Sequence, residues 1–276
     1  MQTLSEIKAM LEARGLAPRK GFGQNFLIDH NLIRKLVDAS GAGAGDVVLE
    51  VGPGTGTLTE ELLARGCRVV AGEIDRGLSE LLRERFAGDR FTLVEGDCLD
   101  GKRSLAPALV EAIGQAAGPG GSFRLVSNLP YGAGTSVMSI LLADHARCAG
   151  LFVTIQREVA HRIAARPGAG EFGPVSVLAQ AVGEVEVLAA LPRECFWPRP
   201  DVTSAMVAVR RRERPLCADP RALLDHAQHL LSKRRKQLGS VVGRDFPWPP
   251  GVIPTMRAED LTVEQFVAMS RGMGAP

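Results

Sequence analysis

The sequence has little of what metal sites, disulfide frameworks and membrane proteins need. Its five cysteines are widely spaced, odd in number and without a CxxC pair, which argues against disulfides or structural zinc and fits a reducing compartment. Its five histidines form no HExxH arrangement, so we expect no metal. No apolar run reaches the length of a bilayer span, and the first residues lack a signal-peptide pattern. We therefore expect a cytoplasmic protein with no membrane partner.

The length of the chain limits the number of domains, and its charge distribution indicates a possible binding partner. With 276 residues and 45% hydrophobic content, the chain can form one large domain or two. The net charge is only +2, but residues 191–244 hold twelve Lys and Arg against five Asp and Glu. This asymmetry favours a segment that faces a polyanion. A solvated basic face is the alternative.

Apolar runs and helical patterns alternate through the middle of the chain. Strands are predicted at 47–51, 68–74, 91–95, 123–126, 151–155, 185–189 and 205–210. Helices are predicted between the first five of them, at 58–64, 77–86, 104–117 and 135–144. The alternation predicts an α/β fold with a mostly parallel sheet covered on both faces.

The two ends of the chain differ from this pattern. Helices are predicted there over 3–14, 29–40, 220–242 and 258–271. We therefore expect a main domain over 1–212, opened by a helical and loop extension over 1–45. A small α-helical C-terminal domain would cover 213–276.

Three predicted strands end in residues suited to a nucleoside. The first is followed by a GxGxG loop with Gly52 and Gly54, which lets a ligand approach the backbone. The dinucleotide fingerprint GxGxxG would need glycine where the chain has Thr57. The second strand ends in Glu73–Asp75 and the third in Asp97, where carboxylates can accept from ribose hydroxyls and an adenine amine. Each acid alone could be a loop charge, but together they imply a nucleoside cofactor, with S-adenosylmethionine as the obvious candidate.

The fourth predicted strand is followed by four residues with complementary chemistry: Asn128, Leu129, Pro130 and Tyr131. Asn128 offers an amide carbonyl, Pro130 a backbone carbonyl without an N–H, and Tyr131 an aromatic face. Such a set can hold a planar exocyclic amine, such as that of adenine. In open α/β sheets this end of a strand is where ligands bind. A plain strand-to-helix turn is the alternative.

These motifs, in this order, closely resemble the family of small-subunit ribosomal RNA adenine N6,N6-dimethyltransferases of the KsgA type. Further matching segments are Gln24–Leu27, Gln156–Val159, Phe172–Ser176, Phe196–Pro200, Lys233–Lys236 and Arg257–Leu261. The resemblance covers about residues 18 to 271. It implies a Rossmann-like methyltransferase sheet, S-adenosylmethionine as cofactor, and small-subunit ribosomal RNA or a pre-small ribosomal subunit as partner. We also expect a monomer.

The resemblance also implies roles for individual residues. The residues expected to hold the cofactor are Asn25, Leu27, Gly52, Gly54, Glu73, Asp97 and Asn128. Those expected to hold the target base are Asn128, Leu129, Pro130, Tyr131 and Phe196. Tyr131, the only tyrosine, and Phe196 would stack on its two faces, although Phe196 could also be a core aromatic. RNA phosphates would be bound by Arg210, Arg211, Arg212, Lys233, Arg234, Arg235 and Lys236.

The implied reaction is two methyl transfers to the exocyclic nitrogen of an unpaired adenine, with catalysis mostly by positioning and electrostatics. Three alternatives stay open. A large-subunit rRNA adenine methyltransferase of the macrolide-resistance type would use the same chemistry. A non-catalytic ribosome assembly factor could keep the fold. A nicotinamide-dependent dehydrogenase would need GxGxxG and leaves the segment 128–131 unexplained.

Overall fold

The computed structural model describes residues 1–101 and 103–273. Its strands are β1 (Phe26–Leu27), β2 (Val47–Val51), β3 (Arg68–Glu73), β4 (Phe91–Glu95), β5 (Leu99–Asp100), β6 (Ser104–Leu105), β7 (Phe123–Asn128), β8 (Cys148–Gln156), β9 (Gly183–Leu191), β10 (Phe196–Trp197) and β11 (Ser204–Arg211). Its α-helices are α1 (Leu4–Glu12), α2 (His30–Ser40), α3 (Thr57–Ala64), α4 (Arg76–Arg85), α5 (Pro107–Ala117), α6 (Gly134–Asp144), α7 (Arg157–Ala164), α8 (Pro174–Val182), α9 (Pro220–Ser232), α10 (Leu238–Val242) and α11 (Val263–Gly272).

Seven strands form one sheet in the order β4-β3-β2-β7-β8-β11-β9. The first five pair in parallel, and β11 runs antiparallel to both of its neighbours. The predicted α/β architecture with a mostly parallel sheet is therefore confirmed. The chain proceeds outward from β2 to β4 and then returns to β7 on the other side of β2. Ligands bind beyond the carboxyl ends of the strands at such a switch point, which here lies between β2 and β7.

Both faces of the sheet are buried because apolar residues occupy most positions of its central strands. In β2, Val47, Leu49 and Val51 pack in one hydrophobic cluster with helices α5 to α8. Val48 lies in a second cluster on the opposite face, with α2 and α3. This alternation follows from the two-residue period of a strand. The carboxyl ends of the strands are thus held in fixed positions by packing on both sides.

The sequence predictions differ from the structure at the end of β7 and between residues 155 and 185. Strand β7 was expected to end at 126 but continues to Asn128, because it pairs with β8 as far as Thr154. No helix was predicted between residues 155 and 185, where the structure has α7 and α8. Helix α7 begins at Arg157, directly after β8, so no turn residues mark its start.

The C-terminal helices also differ from expectation. The helix predicted over 220–242 ends at Ser232, and the basic residues 233–236 form a turn before Gln237, which bridges to Arg257. Phe172 and α8 share a hydrophobic cluster with α9 and α11. The division into domains at 212 and 213 stays a prediction. No helix in the described part of the chain is long and apolar enough to cross a bilayer.

Candidate active site

A cavity of about 420 Å³ lies beyond the carboxyl ends of β2, β3, β4 and β7. Its walls are the Gly-rich loop, the ends of β3 and β4, the segment 128–133 and the loop 21–27. The structure brings together there ten residues that the sequence assigned to the site: Asn25, Leu27, Gly52, Gly54, Glu73, Asp97, Asn128, Leu129, Pro130 and Tyr131.

The floor of the cavity can be built only from glycine at two positions. Gly52 and Gly54 have φ angles of +69° and +62°, in the left-handed region that side chains disfavour. A Cβ at Gly52 would lie 2.9 Å from Cγ of Pro130, and one at Gly54 would lie 2.8 Å from the Phe26 ring. The loop therefore packs closely against the Pro130 ring at Gly52 and against the Phe26 ring at Gly54.

The Glu73 carboxylate is buried behind the Gly-rich loop, at 3% exposure. Its Oε2 accepts from the Gly54 N–H at 3.1 Å and its Oε1 from the Asp75 N–H at 2.9 Å. Burial raises the pKa of Glu73 to about 6, although these two hydrogen bonds lower it. Each carboxylate oxygen keeps a lone pair with which to accept from a ligand hydroxyl.

A second buried acid, Glu50, lines the same cavity. It is 1% exposed, and its Oε2 accepts from the Thr59 hydroxyl at 2.7 Å. Burial, with a smaller contribution from the charge of Glu73, raises the pKa of Glu50 to about 8, although the hydrogen bond from Thr59 lowers it. Sequence reasoning gave Glu50 no role. The available signal was an acid inside an otherwise apolar strand.

The rim of the cavity at β3 and β4 combines one acid with one apolar side chain. Asp97 is exposed, and its Oδ1 accepts from the Leu99 N–H at 2.9 Å. Ile74 is 45% exposed and lines the same cavity. Sequence reasoning overlooked Ile74. The pair offers an acceptor and an apolar surface, which is what a planar base with an amino group needs.

Asn128 lies at the end of β7 with both ends of its side-chain amide engaged. Its Nδ2 donates to the Asn25 main-chain carbonyl at 2.8 Å, and its Oδ1 accepts from the Thr154 hydroxyl. An amide oxygen has two lone pairs, so Oδ1 can accept one more hydrogen bond. Asn25 in turn is held by a bond from its own Nδ2 to the Gly23 carbonyl at 3.1 Å.

The carbonyls of the 128–131 segment are not equivalent. The Pro130 carbonyl accepts from the N–H groups of Ala133 and Gly134, at 3.1 and 3.0 Å, and so begins α6. Leu129 lines the cavity, and its side chain is buried. Tyr131 is half-buried, and its hydroxyl lies 2.7 Å from Ser204 Oγ. Burial raises the pKa of Tyr131.

Phe196 is the clearest correction to the predicted site. Its side chain is 2% exposed, because β10 pairs with β1 so that Phe196 lies opposite Leu27 in a hydrophobic cluster. The structure therefore contradicts a stacking role for Phe196 and supports the core alternative. Phe22, which the sequence analysis overlooked, is half-buried and lines the cavity. The Arg19 guanidinium lies 5.7 Å from the centre of its ring.

Two of the arginines predicted to bind phosphates donate hydrogen bonds to main-chain carbonyls of the protein. Arg211 donates to the carbonyls of Cys148 and Leu141, at 2.7 and 3.0 Å, and to two further carbonyls of the same turn. Arg234 donates to the Gly170 carbonyl at 3.0 Å and to that of Phe172. Both groups therefore hold the fold together, which leaves fewer of their five N–H donors for the predicted contacts with RNA phosphates.

The other predicted basic residues lie at the surface. Arg210 and Arg212 form ion pairs with Glu186 and Glu184, at 2.7 and 3.0 Å. The side chains that remain exposed in the turn after α9 are Lys233, Arg235 and Lys236. Within residues 1–101 and 103–273, no group of three or more His, Cys, Asp and Glu is arranged to hold a metal ion.

Comparisons with known proteins identify the family of this chain. A family model described as ribosomal RNA adenine dimethylase matches residues 15–273. The chain belongs to this family. The protein named ribosomal RNA small subunit methyltransferase A of Magnetococcus marinus is 38% identical, over 98% of this dimethylase-family chain and 97% of its own length. The protein of the same name from Moorella thermoacetica is 37% identical over 95% of each chain.

Two solved structures share the fold of this dimethylase-family chain. A dimethyladenosine transferase from Plasmodium falciparum has a TM-score of 0.71 at 19% identity, covering 88% of this chain and 95% of its own. The 23S rRNA methyltransferase ErmE has a TM-score of 0.66 at 24% identity, covering 90% of this chain and 99% of its own. Both likenesses concern the fold alone. The choice between the two ribosomal subunits therefore depends on other observations.

Proposed function

We propose that this dimethylase uses S-adenosylmethionine to methylate twice the N6 of adenine in small-subunit ribosomal RNA, as a step in small-subunit biogenesis. The observation that carries the proposal is the fixed amide of Asn128. Its Oδ1 keeps one lone pair at the edge of a nucleoside-sized cavity. The relatives named for the small subunit, matched over nearly the full chain, support the choice of RNA.

The residues of the cavity fit the proposed cofactor. Gly52 and Gly54 form a floor without side chains, against which the methionine part can lie. Glu73 keeps two lone pairs for the ribose hydroxyls, and Asp97 with Ile74 can hold the adenine ring. When bound, this cofactor supplies an electrophilic methyl group on a sulfonium centre.

The chain's contribution to the reaction is to hold the target amine. The N6 nitrogen of adenine is a poor nucleophile because its lone pair is delocalised into the ring. In the first transfer, Asn128 Oδ1 and the Leu129 carbonyl each accept one N–H bond, which favours a pyramidal nitrogen with its lone pair directed at the methyl group. In each transfer the nitrogen–methyl bond forms as the methyl–sulfonium bond breaks, and one N–H proton is released to solvent. One N–H therefore remains for these two acceptors in the second transfer. We assign the second acceptor to Leu129 rather than Pro130 because the Pro130 carbonyl already accepts two N–H groups.

The base itself needs an aromatic platform, since it must leave its helical stack to enter the cavity. Tyr131 provides one face of the site. Phe22, in the loop 21–27, is the second aromatic residue in the same lining and takes the role that the sequence had assigned to Phe196. RNA phosphates are bound by the exposed Lys233, Arg235 and Lys236 in the turn after α9.

The decisive experiment is transfer of labelled methyl groups from S-adenosylmethionine to small subunits from a strain that lacks this modification. Large subunits and free RNA are parallel substrates, and the Asn128→Ala protein is the control. We expect dimethyladenosine in small-subunit RNA only. Label in large-subunit RNA would assign the protein to the macrolide-resistance reaction, and no label in any substrate would favour a binding role in assembly.

A further inference from the structure

Two buried hydroxyl groups lie behind the 128–131 segment on adjacent strands. Thr154 in β8 and Ser204 in β11 are each 1% exposed. Thr154 pairs with Met206 across the two strands, and Ser204 is two residues from Met206, so both hydroxyls belong to the same sheet face. Burying a hydroxyl among apolar neighbours is unfavourable unless it is hydrogen-bonded, so the partners of these two groups are informative.

Both hydroxyls bond to side chains of the proposed target-base site. Thr154 Oγ1 donates to Asn128 Oδ1, and Ser204 Oγ lies 2.7 Å from the Tyr131 hydroxyl. A third buried hydroxyl of the sheet behaves differently, since Ser127 Oγ donates to the Val51 main-chain carbonyl at 2.6 Å. Main-chain carbonyls can therefore satisfy a hydroxyl in this sheet. Thr154 and Ser204 instead fix the two side chains that meet the base.

The donors and acceptors around Asn128 permit only one orientation of its side-chain amide. The Asn25 main-chain carbonyl can only accept, so the NH₂ group of Asn128 must face it. Asn128 Oδ1 must then face Thr154, whose hydroxyl must donate. If the Thr154 hydroxyl were lost, the amide would be held at its NH₂ end alone. Rotation about the last side-chain bond would then move the free lone pair of Oδ1 away from the incoming amine.

We propose that Thr154 and Ser204 are positioning residues for methyl transfer. Thr154 fixes the rotation of the Asn128 amide so that Oδ1 presents its free lone pair to the target nitrogen. Ser204 fixes the position of the Tyr131 hydroxyl and so the position of the ring on which the base stacks. This inference rests on the proposed function and adds two residues that act through Asn128 and Tyr131 without touching the base.

The first test compares Thr154→Val with Thr154→Ser in single-turnover methylation. Valine keeps the shape and removes the donor, so the methylation rate falls about tenfold, while the Kd for RNA changes less than twofold. Serine keeps the hydroxyl and restores most of the rate. Ser176→Ala removes an equally buried hydroxyl in α8 and measures the effect of lost stability alone. Equal losses in the valine and serine variants would overturn the assignment of Thr154.

The second test is a double-mutant cycle on Ser204 and Tyr131. Ser204→Ala and Tyr131→Phe each remove one side of the same hydrogen bond. We expect each to slow methylation several-fold and the double variant to be no slower than either single variant. Additive losses would show that the two hydroxyls do not act through each other and would overturn the role of Ser204.

A third readout needs no RNA and separates this inference from the proposed function. The side-chain amide of Asn128, assigned by its loss in Asn128→Ser, should give a resolved and exchange-protected NMR pair in the wild-type protein. The pair should broaden in Thr154→Val and recover in Thr154→Ser. An unchanged pair would overturn the positioning role. A wild-type protein that methylates no RNA would instead overturn the proposed function and leave this result standing.

Discussion

The side-chain amide of Asn128 donates to the main-chain carbonyl of Asn25 at 2.8 Å. This bond joins the end of β7 to the loop 21–27, which forms the opposite wall of the cavity. One side chain therefore meets the loop, the Thr154 hydroxyl and the proposed target amine. We therefore expect changes in the loop to affect the proposed reaction through Asn128.

Replacing Asn128 by alanine should remove most of the activity. The variant loses an acceptor that is oriented before the substrate binds, and such losses cost about 10²–10³ in rate. Single-turnover methylation of small-subunit RNA measures the change, and the Tm checks that the variant is folded. A rate within threefold of the wild type would contradict the assignment.

Replacing Glu50 by glutamine should change how stability depends on pH. The pKa of Glu50 is raised from 4.5 to about 8, so between these values the folded protein holds a proton that the unfolded chain has lost. Stability therefore falls as pH rises through this window, by up to about 1.4 kcal/mol per pH unit for one such group. Thermal unfolding from pH 5 to 9 should show a smaller fall in Tm for Glu50→Gln. Parallel Tm curves would mean that Glu50 is ionised in the folded protein.

Replacing Gly52 by alanine should impair cofactor binding. The new Cβ would lie 2.9 Å from Pro130 Cγ in a left-handed backbone, so the loop and the 128–131 segment must separate. Gly41→Ala is a matched control, because Gly41 has a similar φ of +61° but open space around it, and it should cost only about 1 kcal/mol of stability. Calorimetric titration with S-adenosylmethionine should show weaker binding for Gly52→Ala only. Equal affinity in both variants would contradict the proposed place of the cofactor.

Neutralising the exposed cations of the basic turn should weaken RNA binding without unfolding the protein. With Lys233, Arg235 and Lys236 all changed to Gln, the slope of log K against log salt should become shallower by about 2. Arg234→Gln is the contrasting variant, because its guanidinium holds the Gly170 and Phe172 carbonyls. It should lower stability by about 1–3 kcal/mol with a smaller change in slope. Anisotropy titrations at several salt concentrations measure the slope, and an unchanged slope in the triple variant would move the RNA site elsewhere.

The sequence predicted the sheet well, and it predicted that the Gly-rich loop, Glu73 and Asp97 lie together, because both depend on local patterns. Apolar runs define buried strands, and the Gly-rich loop with Glu73 and Asp97 follows directly from strand ends. The predictions failed where long-range packing decides. An aromatic residue such as Phe196 looks the same in a core and in a stacking site, and only the pairing of β10 with β1 separates the two.

The charge pattern failed for a related reason. The run of four cations in the turn after α9 predicts that all four side chains face RNA. Arg234 instead donates to carbonyls 62 and 64 residues away in sequence. The Arg211 guanidinium likewise donates to carbonyls at the end of α6 and in the turn that follows it. Such bonds cannot be read from neighbouring residues. Thr154 and Ser204 were missed because a single hydroxyl in an apolar strand carries no pattern.

The bonds from Arg234 to the segment between α7 and α8 fix the distance between the basic turn and the cavity. They attach the basic turn to the body that carries the cavity, and the shared cluster of α8, α9 and α11 stiffens that attachment. The span from the turn to Asn128 is therefore set when the chain folds and not when RNA arrives. Under the proposed function, an RNA that uses both must present its adenine at that span from a phosphate contact, so we expect substrates to be selected by their three-dimensional spacing.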